Sequence, residues 1–270
     1  MHQIDKKPSL DTAEDLPGIF RLTHNQHVYS WLVAGSKQSL LIDTGWGMSD
    51  LRARVETLVH TPITVANTHG HFDHTFGNYQ FDEVYLSAED SELAMRACSP
   101  DSRIERSEGF DLSALPGGLS ADEWIGAAHP RILRLEDGEI FDLGNRTIET
   151  IKTPGHTAGS VCFLDTKGKV LFTGDTIYRG YLLLHFDTST ELSVYRSSLE
   201  TIVSRKKDYD WILPAHGRAP LKAEFAKDVL DGVEKILKGK NPGEKHTFRG
   251  RKCLISRFDD FFIVHKDATA

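Results

Sequence analysis

The stretch "ANTHGHFDH", Ala66 to His74, constrains this chain more than any other. It sets three histidines and an aspartate within six residues, with Gly70 between the first two histidines. On a helix, residues two apart point to nearly opposite sides, so His69 and His71 could not act together; on an extended segment they share one face. The preceding "TPITVAN" is β-rich, with Ile63 and Val65 alternating. It predicts a buried strand that delivers its C-terminal end into a chelating loop.

Three later segments repeat the device, each placing a histidine or aspartate where a β-rich run gives way to Gly or Pro: "TPGHTAGS" with His156, "LFTGDTIY" with Asp175 and "WILPAHG" with His216. Alone, His156 or His216 would be an ordinary turn residue; the weight comes from the combination. If such strand ends gather on one rim, His69, His71, Asp73, His74, His156, Asp175 and His216 converge. Five imidazoles and two carboxylates without a thiolate suit borderline cations, zinc above all, with iron or manganese as alternatives. Seven donors exceed one tetrahedral zinc. Two cations sharing a carboxylate would use them all and leave positions open to water, as a catalytic site requires.

Composition narrows the rest. At 270 residues, with 26% charged and 39% hydrophobic side chains, the chain reads as an ordinary globular protein. No apolar run approaches the roughly 20 residues of a membrane span. The N-terminus "MHQIDKKPSL" lacks the apolar core of a secretory signal, and Cys98, Cys162 and Cys253 are an odd set without CxxC spacing, so a cytoplasmic setting is expected. A net charge of −7 lacks the basic footprint of a nucleic-acid binder. "SRKK" at 204–207 reads as a solvated helix end, though a local basic pocket stays open.

The expected organisation is a single α/β domain over 1–270. Residues 1–16 read as a loose polar tail, followed by strands in "GIFRL", "HVYSWLVA" and "SLLIDTG". Ser49 is placed to cap a helix carrying Leu51, Val55, Leu58 and Val59, which ends before Pro62. Later, "TKGK" at 166–169 predicts a hairpin turn, and Thr188 with Glu191 a capping box. A helix is expected around 221–238, then a hairpin turning at Asp259 and Asp260 that completes the sheet. Strands in both halves with helices alongside suggest two sheets packed face to face under outer helices. Residues 96–130 break periodicity yet contain Phe110, Leu112, Leu115 and Trp124; they form either a loop insertion over the site or an excursion pinned by its own cluster.

From about Gly18 to His216 the sequence resembles the metallo-β-lactamase superfamily, whose HxHxDH, later His, later Asp and final His stand here in order. The resemblance implies a four-layer αββα sandwich, with His69, His71 and His156 on one metal, Asp73, His74 and His216 on the other, and Asp175 bridging. Asp43 of "LIDTG" matches a position that usually supports the ligands in that family; from spacing alone it reads equally as a strand-to-turn acid. The reaction implied is hydrolysis of a carboxylic ester, thioester or lactone in a small acyl substrate, with two zinc ions per chain. Asp73 would orient the nucleophile, and Tyr178, three residues past Asp175, would donate to an oxyanion or else pack as an aromatic cap.

Family departures bear on substrate. The bridging Asp175 counts against a true β-lactamase, and "YRGYLLLHF" lacks the lysine expected of a glyoxalase II. A phosphodiesterase and a mononuclear iron persulfide dioxygenase remain alternatives. "GDTIYRGYLLLHF" is similar to acyl-CoA thioesterases of the superfamily. Leu182, Leu183, Leu184 and Phe186 then line an acyl pocket or form a core strand, and His185 faces the site or is simply part-buried.

Overall fold

The computed structural model describes residues 7–267. Contacts divide the chain into two compact units, one running to Leu135 and including Phe141–Thr147, the other taking Glu136–Ile140 and the described chain from Ile148 on.

In the first unit, strands β1 (Leu10–Leu16), β2 (Ile19–His24), β3 (Val28–Val33), β4 (Ser39–Ile42), β5 (Ile63–Ala66), β6 (Glu83–Ser87) and β7 (Arg131–Leu135) form a seven-stranded sheet in chain order. Pairing is antiparallel as far as β4 and parallel from there to β7. The change of sense needs a crossover, which helix α1 (Leu51–Leu58) supplies. Its Leu51 and Val55 pack with Leu22, Leu32, Leu41 and Val65 of the sheet. The cap is Asp50, whose carboxylate accepts from the Ala53 N–H at 3.0 Å, rather than the expected Ser49. A carboxylate suits the positive helix end better than a hydroxyl.

Two further expectations change here. Within the supposed tail, residues 10–16 are β1, because the free edge of β2 templates pairing even for the polar "LDTAEDL"; residues 1–6 lie outside the described residues. The stretch 96–130 is largely helical. After the single turn α2 (Phe72–Thr75) and helix α3 (Ser91–Ala97) come α4 (Pro100–Arg106) and α5 (Ala121–Ile125), the last closed by a Ser120–Glu123 capping box. These helices are too short to show a periodic pattern. Leu115 and Trp124 pack with Met48, Phe76 and Cys98, and Phe110 and Leu112 join them beside Trp46 and Phe72. The segment therefore shares a core with the turn that carries Asp73 and His74.

Strand β8 (Ile140–Asp142) straddles the unit boundary, and the second unit contains β9 (Thr147–Lys152) from Ile148 on, β10 (Val161–Asp165), β11 (Val170–Gly174), β12 (Tyr181–Leu184), β13 (Trp211–Pro214), β14 (Leu221–Lys222), β15 (Glu244–Phe248), β16 (Arg251–Arg257) and β17 (Phe262–His265). One sheet runs β14-β13-β11-β10-β9 with β8 at its edge; a separate sheet runs β12-β17-β16-β15. The turn at 166–169 joins β10 to β11, and Asp259–Asp260 turn β16 into β17, both as expected. The C-terminal hairpin does not extend the larger sheet, because β17 pairs in parallel with β12 instead.

Helices α6 (Leu192–Ser204) and α7 (Phe225–Leu237) bury Tyr195, Leu199 and Ile202, and Val229, Val233 and Ile236, against Leu171, Leu182, Leu184, Ile212 and Ile263. The predicted capping box at α6 does not form: Glu191 is the cap residue, without a side-chain bond. The residues before it serve another loop, since the Thr190 N–H donates to the Gly155 carbonyl and the Ser189 hydroxyl to the His156 carbonyl. Helix α7 starts at Phe225, because Leu221–Lys222 pair with β13.

Candidate metal centre

Strand β5 ends at Ala66, and the chain then runs through Asn67 and Thr68 into His69. A Cβ on Gly70 would lie 2.7 Å from the Asp90 carbonyl oxygen. Only glycine lets the loop approach α3 so closely, which explains the residue between the first two histidines. The Gly70 N–H donates to the Asp90 carboxylate at 2.8 Å, and His71 then starts α2 from an extended conformation. The rings of His69 and His71 stand 4.9 Å apart, and those of His69 and His74 4.0 Å.

Asp43 sits at the end of β4 with φ +63° and is 1% exposed. Aspartate tolerates this left-handed backbone better than most residues. One carboxylate oxygen accepts from the Thr68 N–H at 2.7 Å; the other accepts from the Thr68 hydroxyl and from His74 Nδ1–H, both at 2.8 Å. Since Thr68 gives its proton to Asp43, its oxygen is left to accept from His69 Nδ1–H at 3.1 Å. One buried carboxylate thereby fixes the tautomer and the rotation of two imidazoles, leaving Nε2 of each as the lone-pair donor. Asn67 Nδ2–H and the Thr44 hydroxyl both reach the His74 carbonyl, at 3.0 and 3.1 Å. Behind them lies His24, whose ring bonds Ser30 at 2.9 Å. Burial first, and then the neighbouring His74, push its pKa down to about 3.

In the second unit His156 follows β9 in a tight turn, and a Cβ on Gly155 would strike the Tyr195 ring at 2.3 Å. His156 Nδ1–H donates to the Leu183 carbonyl at 2.7 Å. A carbonyl can only accept, so Nδ1 carries the proton and Nε2 keeps its lone pair. The parallel register of β11 and β13 sets Gly174 opposite Pro214, and the residues just beyond each strand, Asp175 and His216, meet. Asp175 Oδ1 lies 3.2 Å from His216 Nε2, and Oδ2 lies 3.5 Å from His156 Nε2. Each carboxylate oxygen thus addresses a different imidazole.

Within the first unit, ligand atoms of His69 and His71, of His69 and His74, and of Asp73 and His74 lie within 4.8 Å of one another. The second unit adds His156, Asp175 and His216 at the distances above, and a donor set of imidazole nitrogen and carboxylate oxygen fits a divalent cation.

The Tyr178 ring packs 5.6 Å from His216, and its hydroxyl donates to the Tyr181 carbonyl. Leu182 and Leu184 belong to the unit's core, whereas Leu183 lies on the other face of its sheet with Cys253, Ile255 and Val264. His185 is 4% exposed, and burial lowers its pKa to about 4. Sequence reasoning missed Thr68, Asn67 and Asp90, small polar residues of a kind common in any loop. Among the described residues no helix is long and apolar enough to cross a membrane.

A family model described as the metallo-β-lactamase superfamily matches residues 25–86 and 96–216. The chain is 34% identical over 165 residues to a Bos taurus protein named acyl-coenzyme A thioesterase MBLAC2, covering 57% of this chain and 59% of that protein. It therefore spans less than two thirds of that relative's length. A Haemophilus influenzae protein named hydroxyacylglutathione hydrolase GloC is 26% identical over 204 residues, covering 74% of this chain and 89% of its own. Among solved structures, a metallo-β-lactamase of Cronobacter sakazakii superposes with a TM-score of 0.61 at 20% identity, covering 87% of this chain and 95% of that one. The last is a likeness of fold, the α/β arrangement of layered sheets and helices expected from the motif order. With the family model matched on both sides of a nine-residue gap and across every ligand segment, the chain belongs to the metallo-β-lactamase superfamily.

Proposed function

We propose that the protein is a dinuclear zinc hydrolase of thioesters, with carboxylic esters and lactones open to the same chemistry. The observation that carries the reading is Asp175, whose two oxygens face His216 and His156 separately, the posture of a carboxylate shared by two cations. His69, His71 and His156 would hold one ion, and Asp73, His74 and His216 the other. Bound there, zinc supplies a nucleophilic hydroxide at neutral pH and polarises a carbonyl. Asp73 would orient the nucleophile and help move its proton. Tyr178 can donate to a developing oxyanion only by releasing the Tyr181 carbonyl, since a phenol has one proton. The thioester preference is supported by the relatives named for acyl-coenzyme A and hydroxyacylglutathione hydrolysis.

The test pairs metal analysis of protein purified without chelator with a panel of acyl-CoAs, lactoylglutathione, acyl-homoserine lactones, nitrocefin and bis-nitrophenyl phosphate. Two equivalents of zinc and turnover of acyl-CoAs are expected. Preference for the phosphodiester would make it a phosphodiesterase, and one equivalent of iron without hydrolysis a dioxygenase; either sinks the proposal. Within the panel, Tyr178→Phe should lower turnover at constant metal content.

A further inference from the structure

On a chain of net charge −7, the segment "EKHTFRGRK", Glu244 to Lys252, carries four cations against one carboxylate. It forms the β15–β16 hairpin, in which Phe248 pairs directly with Arg251 across a two-residue tip. Arg249 and Gly250 at that tip both have positive φ, +49° and +78°, the conformation that closes a tight hairpin. The Arg249 guanidinium lies 5.9 Å from the Phe248 ring centre. Beside Phe248, at 5.4 Å, is Tyr181, which stacks on Phe262 at 4.5 Å and is nonetheless 41% exposed. Arg257 covers Phe262 at 5.5 Å. The result is a part-exposed aromatic cluster flanked by guanidinium groups.

This platform lies next to the turn that carries His156. Tyr181 and His185 are four residues apart and both contact the Phe248 ring, His185 at 5.7 Å. Arg249, Arg251 and the ligand His156 all act electrostatically on the His185 ring. Leu183, between them in sequence, provides the carbonyl that orients His156. Arg251 is held over the segment after β12 by Asp187 at 2.7 Å, an exposed pair that a stronger anion can displace.

We propose that the β15–β16 tip and the Tyr181 face bind the phosphorylated nucleotide end of a coenzyme A thioester. The inference rests on the thioesterase reading above and names the part of the substrate that the metal ligands do not touch. Coenzyme A brings several phosphate charges and a flat purine to one end of a flexible arm whose other end is the scissile thioester. Guanidinium groups match phosphates in pairs of hydrogen bonds, and an exposed tyrosine offers the purine a stacking surface. The arm then spans from the hairpin past His185 toward His156.

The experiment uses the metal-loaded protein and the double variant Arg249→Asn with Arg251→Gln. Asparagine tolerates the left-handed backbone at 249, and Arg249→Asn alone serves if the double variant is unstable. Coenzyme A binding, measured by calorimetry independently of turnover, should weaken by about tenfold or more in the variant. The ratio of kcat/KM for an acyl-CoA to that for the same acyl group on N-acetylcysteamine should fall by a similar factor, through KM. Equal binding of coenzyme A by both proteins overturns the proposal, as does an unchanged ratio. Loss of binding to phosphatidylserine vesicles with coenzyme A binding unaltered would make the hairpin a membrane patch, and also overturns it. If the protein hydrolyses no thioester yet binds coenzyme A through the two arginines, the thioesterase reading fails while the hairpin site stands.

Discussion

Asp43 accepts a hydrogen bond from Nδ1 of His74 at 2.8 Å while being 1% exposed itself. With Thr68 relaying the same carboxylate to His69, two candidate ligands depend on a residue that is not itself one of the clustered donors. Asp43→Asn keeps a residue suited to φ +63° but removes the charge and one acceptor. Metal affinity is expected to fall by about 10- to 100-fold. Competition against a chromogenic chelator measures it, and unaltered metal affinity would refute the orienting role.

Gly70 is a question of space. An added methyl meets the Asp90 backbone oxygen at 2.7 Å, and backbone on both sides has little room to yield. Gly70→Ala should destabilise the metal-free protein by about 1–3 kcal/mol and lower metal occupancy, read from urea unfolding and metal analysis. A variant as stable as the parent would show that the loop can move away from α3.

His24 makes stability depend on pH. Its folded pKa of about 3 lies below the ordinary 6.5, so between those values the unfolded chain binds the extra proton and the fold does not. Stability is complete above pH 6.5 and lost as pH falls toward 3, by at most about 1.4 kcal/mol per pH unit from this group. A melting series from pH 8 to 4 on the metal-free protein, beside His24→Gln, checks this; the variant should show the shallower slope.

The three cysteines are free and buried. Burial pushes the Cys162 thiol up to about 12 and raises Cys98 and Cys253 as well. Native protein should react slowly or not at all with a thiol reagent at neutral pH and release three equivalents in denaturant. Rapid native reaction at any one of them would contradict its burial.

The candidate ligands were legible because each is a chemically distinctive residue placed just past a β-rich run, a local pattern. Asp43 was less so: its bonds go to residues 25 and 31 positions away, and "LIDTG" alone says only that a strand is ending. The platform at Tyr181 lay beyond reach for a similar reason. Its partner Phe262 arrives through the pairing of β12 with β17, and Phe248 through the β15–β16 hairpin beyond it; nothing in "YLLL" tells which later strand it will choose. β1 and the short helices of 96–130 failed on pattern instead, being formed by a free edge and by a shared core rather than by their own periodicity.

The adjacency of Asp175 and His216 through parallel β11 and β13 also has a kinetic side. Those ligands meet only after a long loop has closed and two parallel strands have paired, which is slow in any folding chain. His69, His71, Asp73 and His74 are neighbours in sequence and can hold a cation weakly before that happens. If the centre takes zinc, the unfolded chain competes for it, and saturating zinc should raise the melting temperature by less than its affinity for the folded protein implies.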